Sequence, residues 1–196
     1  MPALSRSLRR AFFHDPITEY LFPNEARRAH RLERYFRFEM KGLFLRRGES
    51  WTSEGLEAAA FWVPPRESPP SFAELIAQLP VIWMFGRHLT RGHQVVQLLE
   101  SKRPRVPHLY LATIGTDPAA QGKGHGSALL RVVLNRCDAE GVPSYVESSN
   151  ESNLAFYGRH GYELVGDVVI PDTALKLWLM WREPVGGNGG LAGGRR

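Results

Sequence analysis

The stretch "LATIGTDPAAQGKGHGSALLRVVL", residues 111–134, decides how the chain is read. An apolar run of strand formers reaches Pro118, glycines then alternate at Gly122, Gly124 and Gly126, and Leu129, Leu130, Val133, Leu134 and Cys137 follow at helical spacing. A strand, a glycine turn and a helix start, in that order, present unpaired backbone N–H groups and the positive end of a helix dipole to an anion. Two phosphate loops do not fit. The dinucleotide fingerprint needs a glycine where Ser127 stands, and the P-loop needs Ser or Thr after its lysine, whereas Lys123 is followed by Gly124. A glycine turn that merely connects strand to helix is the bland alternative, but three alternating glycines exceed what a connection requires.

Working outward, Gly141 and Pro143 stop the helix and "SYVESS", residues 144–149, reads as a strand. "NLAFYGRH" predicts a short helix ended by Gly161, and "YELVGDVVIP" and "ALKLWLMW" predict two final strands. Upstream, Leu4, Leu8 and Phe12 recur every fourth residue as a first helix, and residues 14–25, with Pro16 and Pro23, read as a loop. Residues 25–45 carry Leu32, Phe36, Met40 and Leu43 on one helical face. "ESWTSEGLEAAAFWVPP" predicts two short strands around a Ser-Glu-Gly turn, and Phe72, Leu75, Ile76 and Leu79 open a helical region running on toward Pro104. Helices first, then strand, loop, helix, strand, helix, strand, strand define a mixed α/β (α+β) domain over residues 1–184, with a flexible glycine-rich tail over 185–196.

Composition narrows the function classes. A hydrophobic content of 43% and a charged content of 23% are ordinary for a globular protein, and no apolar run reaches the length of a membrane span, so no membrane partner is expected. One cysteine, Cys137, excludes an internal disulfide and a cysteine-based zinc site, which fits a cytoplasmic location. The net charge of +5 favours an anionic partner, yet the arginines are dispersed with no aromatic-interleaved basic stripe, so nucleic acid is not expected. The histidines lack partners at metal-ligand spacing, and no metal is expected.

Two motifs carry a resemblance. Gln121 to Gly126 is similar to the Q/R-x-x-G-x-G/A signature of the Gcn5-related N-acetyltransferase (GNAT) family, and "LATIGTDP" resembles that family's fourth strand. Asn150, Asn153, Phe156, Tyr157, Gly161 and Tyr162 resemble its second signature, with Tyr162 where Phe is commoner. Residues 108–183 look most like puromycin N-acetyltransferase-like actinobacterial members, whereas the likeness over residues 1–100 is thin. The resemblance implies a central mixed, mostly antiparallel twisted sheet whose fourth and fifth strands splay apart. The family's usual first strand looks missing, which leaves a sheet edge for something else to cover, a second copy in a homodimer being one possibility.

For the site, the resemblance implies a pocket for acetyl-coenzyme A as co-substrate. Backbone groups at Ile114 and Thr116 would pair with the pantetheine arm. The loop Gln121, Gly122, Lys123, Gly124, His125, Gly126 and Ser127 would hold the pyrophosphate, and Asn150 and Asn153 would bond the coenzyme, unless they serve as helix caps. Tyr157 matches the tyrosine that protonates the departing thiolate, and Glu147 or water takes the proton of the amine, with Asp117 and His108 as further candidates. A small-molecule primary amine is the expected acceptor. Phe36, Phe38, Trp62, Trp83, Phe85 and Trp178 would wall its site or belong to the core. A protein N-acetyltransferase and a non-catalytic acyl-CoA-binding domain stay open beside this reading.

Overall fold

The computed structural model describes residues 2–41, 49–65 and 89–186. Three helices open the chain. Helix α1 (Pro2–Phe12) buries Leu4 and Leu8. Helix α2 (Pro16–Leu21) stands inside the stretch that the sequence reads as a loop. The Asp15 carboxylate accepts the N–H groups of Ile17 and Thr18, and Pro16 takes the first helical turn, where its missing N–H costs nothing. The proline that looks like a breaker is thus a starter. Helix α3 (Glu25–Glu39) is capped by Asn24 and turns Leu32 and Phe36 inward. The predicted helix end at 42–45 and the helical region of 72–88 lie outside the described residues, and α4 (Leu89–Lys102) is the part of that region that is described.

The strands β1 (Glu49–Thr52), β2 (Ala58–Val63), β3 (Leu109–Thr116), β4 (Ser144–Ser148), β5 (Glu163–Val169) and β6 (Lys176–Arg182) form one sheet in the order β1-β2-β3-β4-β6-β5. Only β3 and β4 run parallel, joined through helix α5 (His125–Glu140). Such a crossover is what a parallel pair requires, and it explains why the glycine turn falls at a strand's carboxyl end. Among the described residues no strand precedes β1 and none pairs with the outer edges of β1 or β5.

Each sheet face carries its own core, as the period-two alternation of strand side chains demands. Under α5, Leu130, Val133 and Cys137 pack on Ala58, Ala60, Trp62, Leu111, Val146 and Met180. On the opposite face, α1 and α3 cover Ala59 and Phe61, and Val95 of α4 joins Tyr145, Leu177 and Leu179. Phe36 and Trp62, weighed as acceptor-site walls, are core residues at 3% and 0% exposure, and Trp83 and Phe85 lie outside the described residues.

The sheet opens in its middle. β3 pairs with β4 only over Leu109–Leu111, whereas β2 stays with β3 to Thr116 and β6 stays with β4 to Ser148. The burial expected of a central strand holds at Leu109 and Leu111 and lapses from Ala112 onward, because one neighbouring strand has left. Helix α1 crosses β3 at this point. A Cβ on Gly115 would come 2.6 Å from the Phe12 ring, so glycine is what permits the crossing.

Candidate active site

Beyond the parting of β3 and β4 lies a cleft of about 550 Å³. One wall is Ile114, Gly115 and Thr116 of β3, whose edge toward β4 has no strand partner. The floor is the glycine turn. Gly122 and Gly124 have φ of 77° and 84°, the left-handed region that costs other residues roughly 1–2 kcal/mol, and a Cβ at either would project into open space. Gly124 caps α5 without any side-chain bond, so the first amides of this 16-residue helix have no protein partner from a cap. Free amides, a helix dipole and no Cβ in the way fit a diphosphate. Arg159 also lines the cleft and adds a cation that the sequence motifs do not reveal.

The expected donors separate. Gln121, Gly122, Gly124, His125, Gly126 and Ser127 line the cleft, whereas Lys123 does not. The Gln121 side chain donates to the Thr116 carbonyl at 3.2 Å, tying the turn to the strand and occupying one acceptor there. Ser127 Oγ lies 3.0 Å from His160 Nε2, which anchors the start of α5 to the segment after the short helix α6 (Leu154–Gly158). Asn150 and Asn153 both line the cleft. The Asn150 side chain is engaged locally, accepting the Ser152 N–H at 3.0 Å as a cap.

Tyr157, on α6, packs edge-on against Phe156 and Tyr162 and reaches the same cleft. Burial first, and then the negative charge of Asp15, push its phenol above the ordinary tyrosine range. Glu147 is elsewhere. Along β4 it shares the face of Tyr145, while Val146 points under α5, and it does not line the cleft. Tyr110 donates to it at 2.7 Å and Arg103 stands at 3.9 Å, yet burial still raises its carboxyl above the usual range. Its Oε1 and the Tyr145 hydroxyl are buried without a hydrogen bond.

The other base candidates are occupied. Asp117 pairs with Arg10 and caps the turn Pro118–Ala120, and the Arg10 bond holds its carboxyl below the ordinary range. His108 lies 2.6 Å from the Val106 carbonyl between Tyr145 and Trp181, and burial lowers its pKa. The residue that sequence reasoning passed over is Asp15, which lines the cleft with His14 and is locally readable only as a helix cap. No group of three or more metal-ligating side chains gathers among the described residues. No described helix is long and apolar enough to cross a membrane.

A parallel strand pair opening over a glycine-capped helix, with a phenol in the cleft, is the arrangement that the two sequence motifs lead one to expect. The model of the Acetyltransferase (GNAT) family matches residues 58–162, just over half of the chain, and the chain belongs to that family. A mycothiol acetyltransferase of Salinispora arenicola is 32% identical over 119 residues, 57% of this chain and 34% of that protein. The N-alpha-acetyltransferase RimI of Mycobacterium tuberculosis is 43% identical over 54 residues, 28% of this chain and 34% of that protein. The chain thus spans about a third of each of these curated relatives. A Corynebacterium glutamicum structure described as histone acetyltransferase HPA2 and related acetyltransferase superposes with a TM-score of 0.66 at 21% identity, over 93% of this chain and 90% of that one, a likeness of fold. The mixed sheet with its central parting is the fold that the sequence resemblance implies.

Proposed function

We propose that the protein transfers an acetyl group from acetyl-CoA to the primary amine of a small molecule by direct attack. The observation that carries this reading is the union, in one cleft, of the unpaired β3 edge, the glycine-capped start of α5 and Tyr157. Bound there, acetyl-CoA supplies an activated acyl carbon and a thiolate leaving group. The residues do the rest. The amides from Gly122 to Ser127 hold the diphosphate, and the free β3 edge near Ile114 lines up the pantetheine arm as a neighbouring strand would. Tyr157 gives its proton to the departing sulfur; its phenol is held above the ordinary range, so the transfer occurs only as the thiolate forms beside it. The resemblance implies Glu147 or water for the amine's proton, but Glu147 does not line the cleft, so water or a carboxylate that lines the cleft takes it.

A protein amine is the second reading. It is favoured by the RimI likeness over 54 residues, whereas the mycothiol acetyltransferase likeness runs over 119. Calorimetry with acetyl-CoA, followed by thiol release with a panel of small amines and of N-terminal peptides, separates the two. Turnover on small amines supports the first reading, turnover on peptides alone supports the second, and binding without any turnover overturns both.

The cradle has its own test. Gly124→Ala forces a side chain into the left-handed region, a cost of roughly 1–2 kcal/mol that the loop escapes by leaving its conformation. The expected result is an acetyl-CoA Kd about tenfold weaker by calorimetry with little change in the amine KM. An unchanged Kd would place the phosphate elsewhere.

A further inference from the structure

We propose that Asp15 is the group that accepts the proton of the attacking amine, working across the cleft from Tyr157. The proposal rests on the acetyl-transfer reading and names its base. Among the described residues, Asp15 is the carboxylate that lines the cleft; Glu147 and Asp117 do not. It sits between α1 and α2, and its position is over-determined. Oδ1 accepts the N–H of Ile17 at 3.0 Å and of Thr18 at 3.4 Å, and Ser149 Oγ, just past β4, lies 2.8 Å from both carboxylate oxygens. A hydroxyl carries one proton, so it serves one oxygen at a time. Oδ2 therefore keeps a free lone pair on a carboxylate that cannot swing away. Burial raises its carboxyl above the ordinary range, which moves a base toward working pH. The titratable groups around it are His14 and Glu19, which pair with each other at 3.3 Å, and Tyr157 of α6.

The proton count closes. As the amine nitrogen bonds the acyl carbon, its surplus proton passes to Asp15. The C–S bond breaks with its electron pair on sulfur, and Tyr157 protonates that sulfur. Protonated Asp15 then returns a proton to the Tyr157 phenolate, restoring both groups. Amine and thioester have become amide and thiol, with no oxidant or further reactant.

Asp15→Asn distinguishes this role from capping. Asn is as good an N-cap as Asp and keeps the same shape, but it takes no proton. A carboxyl whose folded pKa is raised contributes stability below the unfolded pKa and loses it as pH rises through the folded one. A neutral Asn therefore forfeits nothing at neutral pH, and the variant should melt within a few degrees of the parent. Its kcat/KM for thiol release is expected to fall roughly 10²-fold or more at unchanged acetyl-CoA Kd, and the acidic limb of the kcat/KM–pH profile, expressed per neutral amine so that the substrate's own protonation drops out, should vanish. In the parent that limb falls as pH drops through a pKa above the ordinary aspartate value. Glu147→Gln, measured alongside, should keep the limb. An Asp15→Asn protein with parental kcat/KM and an intact acidic limb overturns the proposal, as does loss of the limb in Glu147→Gln alone. If the parent releases no thiol with any amine or peptide, the acetyl-transfer reading fails and the proposal with it; parental turnover with an indifferent Asn variant sinks only the assignment of Asp15.

Discussion

Replacing Tyr157 with phenylalanine is expected to lower kcat for thiol release by roughly 10²- to 10⁴-fold while acetyl-CoA affinity stays within a few-fold of the parent. The ring is 5% exposed within the core under α5, and phenylalanine keeps that packing against Phe156 and Tyr162, so only the hydroxyl is lost. Its proton is held tightly by burial and by the nearby Asp15 charge, which makes the phenol a poor acid until a thiolate forms beside it. A group that acts on the leaving sulfur touches the breaking bond and not the bound donor, so the loss belongs in kcat. Thermal unfolding and calorimetry of the variant separate this from damage to the fold. A variant with parental kcat would remove Tyr157 from the chemistry and leave it as a core aromatic.

The second large effect is on stability. Arg28→Ala is expected to cost about 2–4 kcal/mol, the range for leaving two backbone carbonyls without their donor while the half-exposed Glu19 turns to water. Arg28 is 6% exposed on α3. Its guanidinium donates to the Phe22 carbonyl at 2.9 Å, to the Phe13 carbonyl at 3.2 Å and to Glu19 at 3.0 Å, and it lies over the Phe13 ring at 5.2 Å. One side chain thus pins both ends of the segment that carries His14 and Asp15. Truncation leaves two backbone carbonyls without their donor and frees the cleft wall. For a chain of this size the melting point should fall by about 10 °C, since 1 kcal/mol corresponds to roughly 2–4 °C. Arg28→Lys, which keeps the charge with a single donor head, should fall between parent and Ala. A melting point unchanged in Arg28→Ala would mean that the α1–α2 connection is held by other contacts.

How much of this was legible depends on the range of the interactions involved. The strand, glycine turn and helix of residues 111–134 were readable because a left-handed φ at Gly122 and Gly124 writes itself directly into residue type. The parting of β3 and β4 was implied only by the family resemblance, since apolar periodicity around Leu111 does not say where a neighbouring strand leaves. Helix α2 has a local signal, Asp15 followed by Pro16, but the same pair also reads as a loop, because proline breaks helices more often than it starts them. The placement of Glu147 was harder. One step along β4 changes the face, so Glu147 and Val146 look alike in sequence and sit on opposite sides of the sheet. Asp15 and Ser149 meet across 134 positions, a contact that no local pattern encodes.

The central claim is acyl transfer from a donor gripped at the start of α5. The direct test is the initial rate of thiol release from acetyl-CoA across a panel of small primary amines, for the parent and for Tyr157→Phe. The expected result is saturable, amine-dependent release by the parent with about one amide formed per thiol, and a loss of roughly 10²-fold or more in the variant. Tight binding of acetyl-CoA with no amine-dependent thiol release, from small amines or peptides, would contradict it.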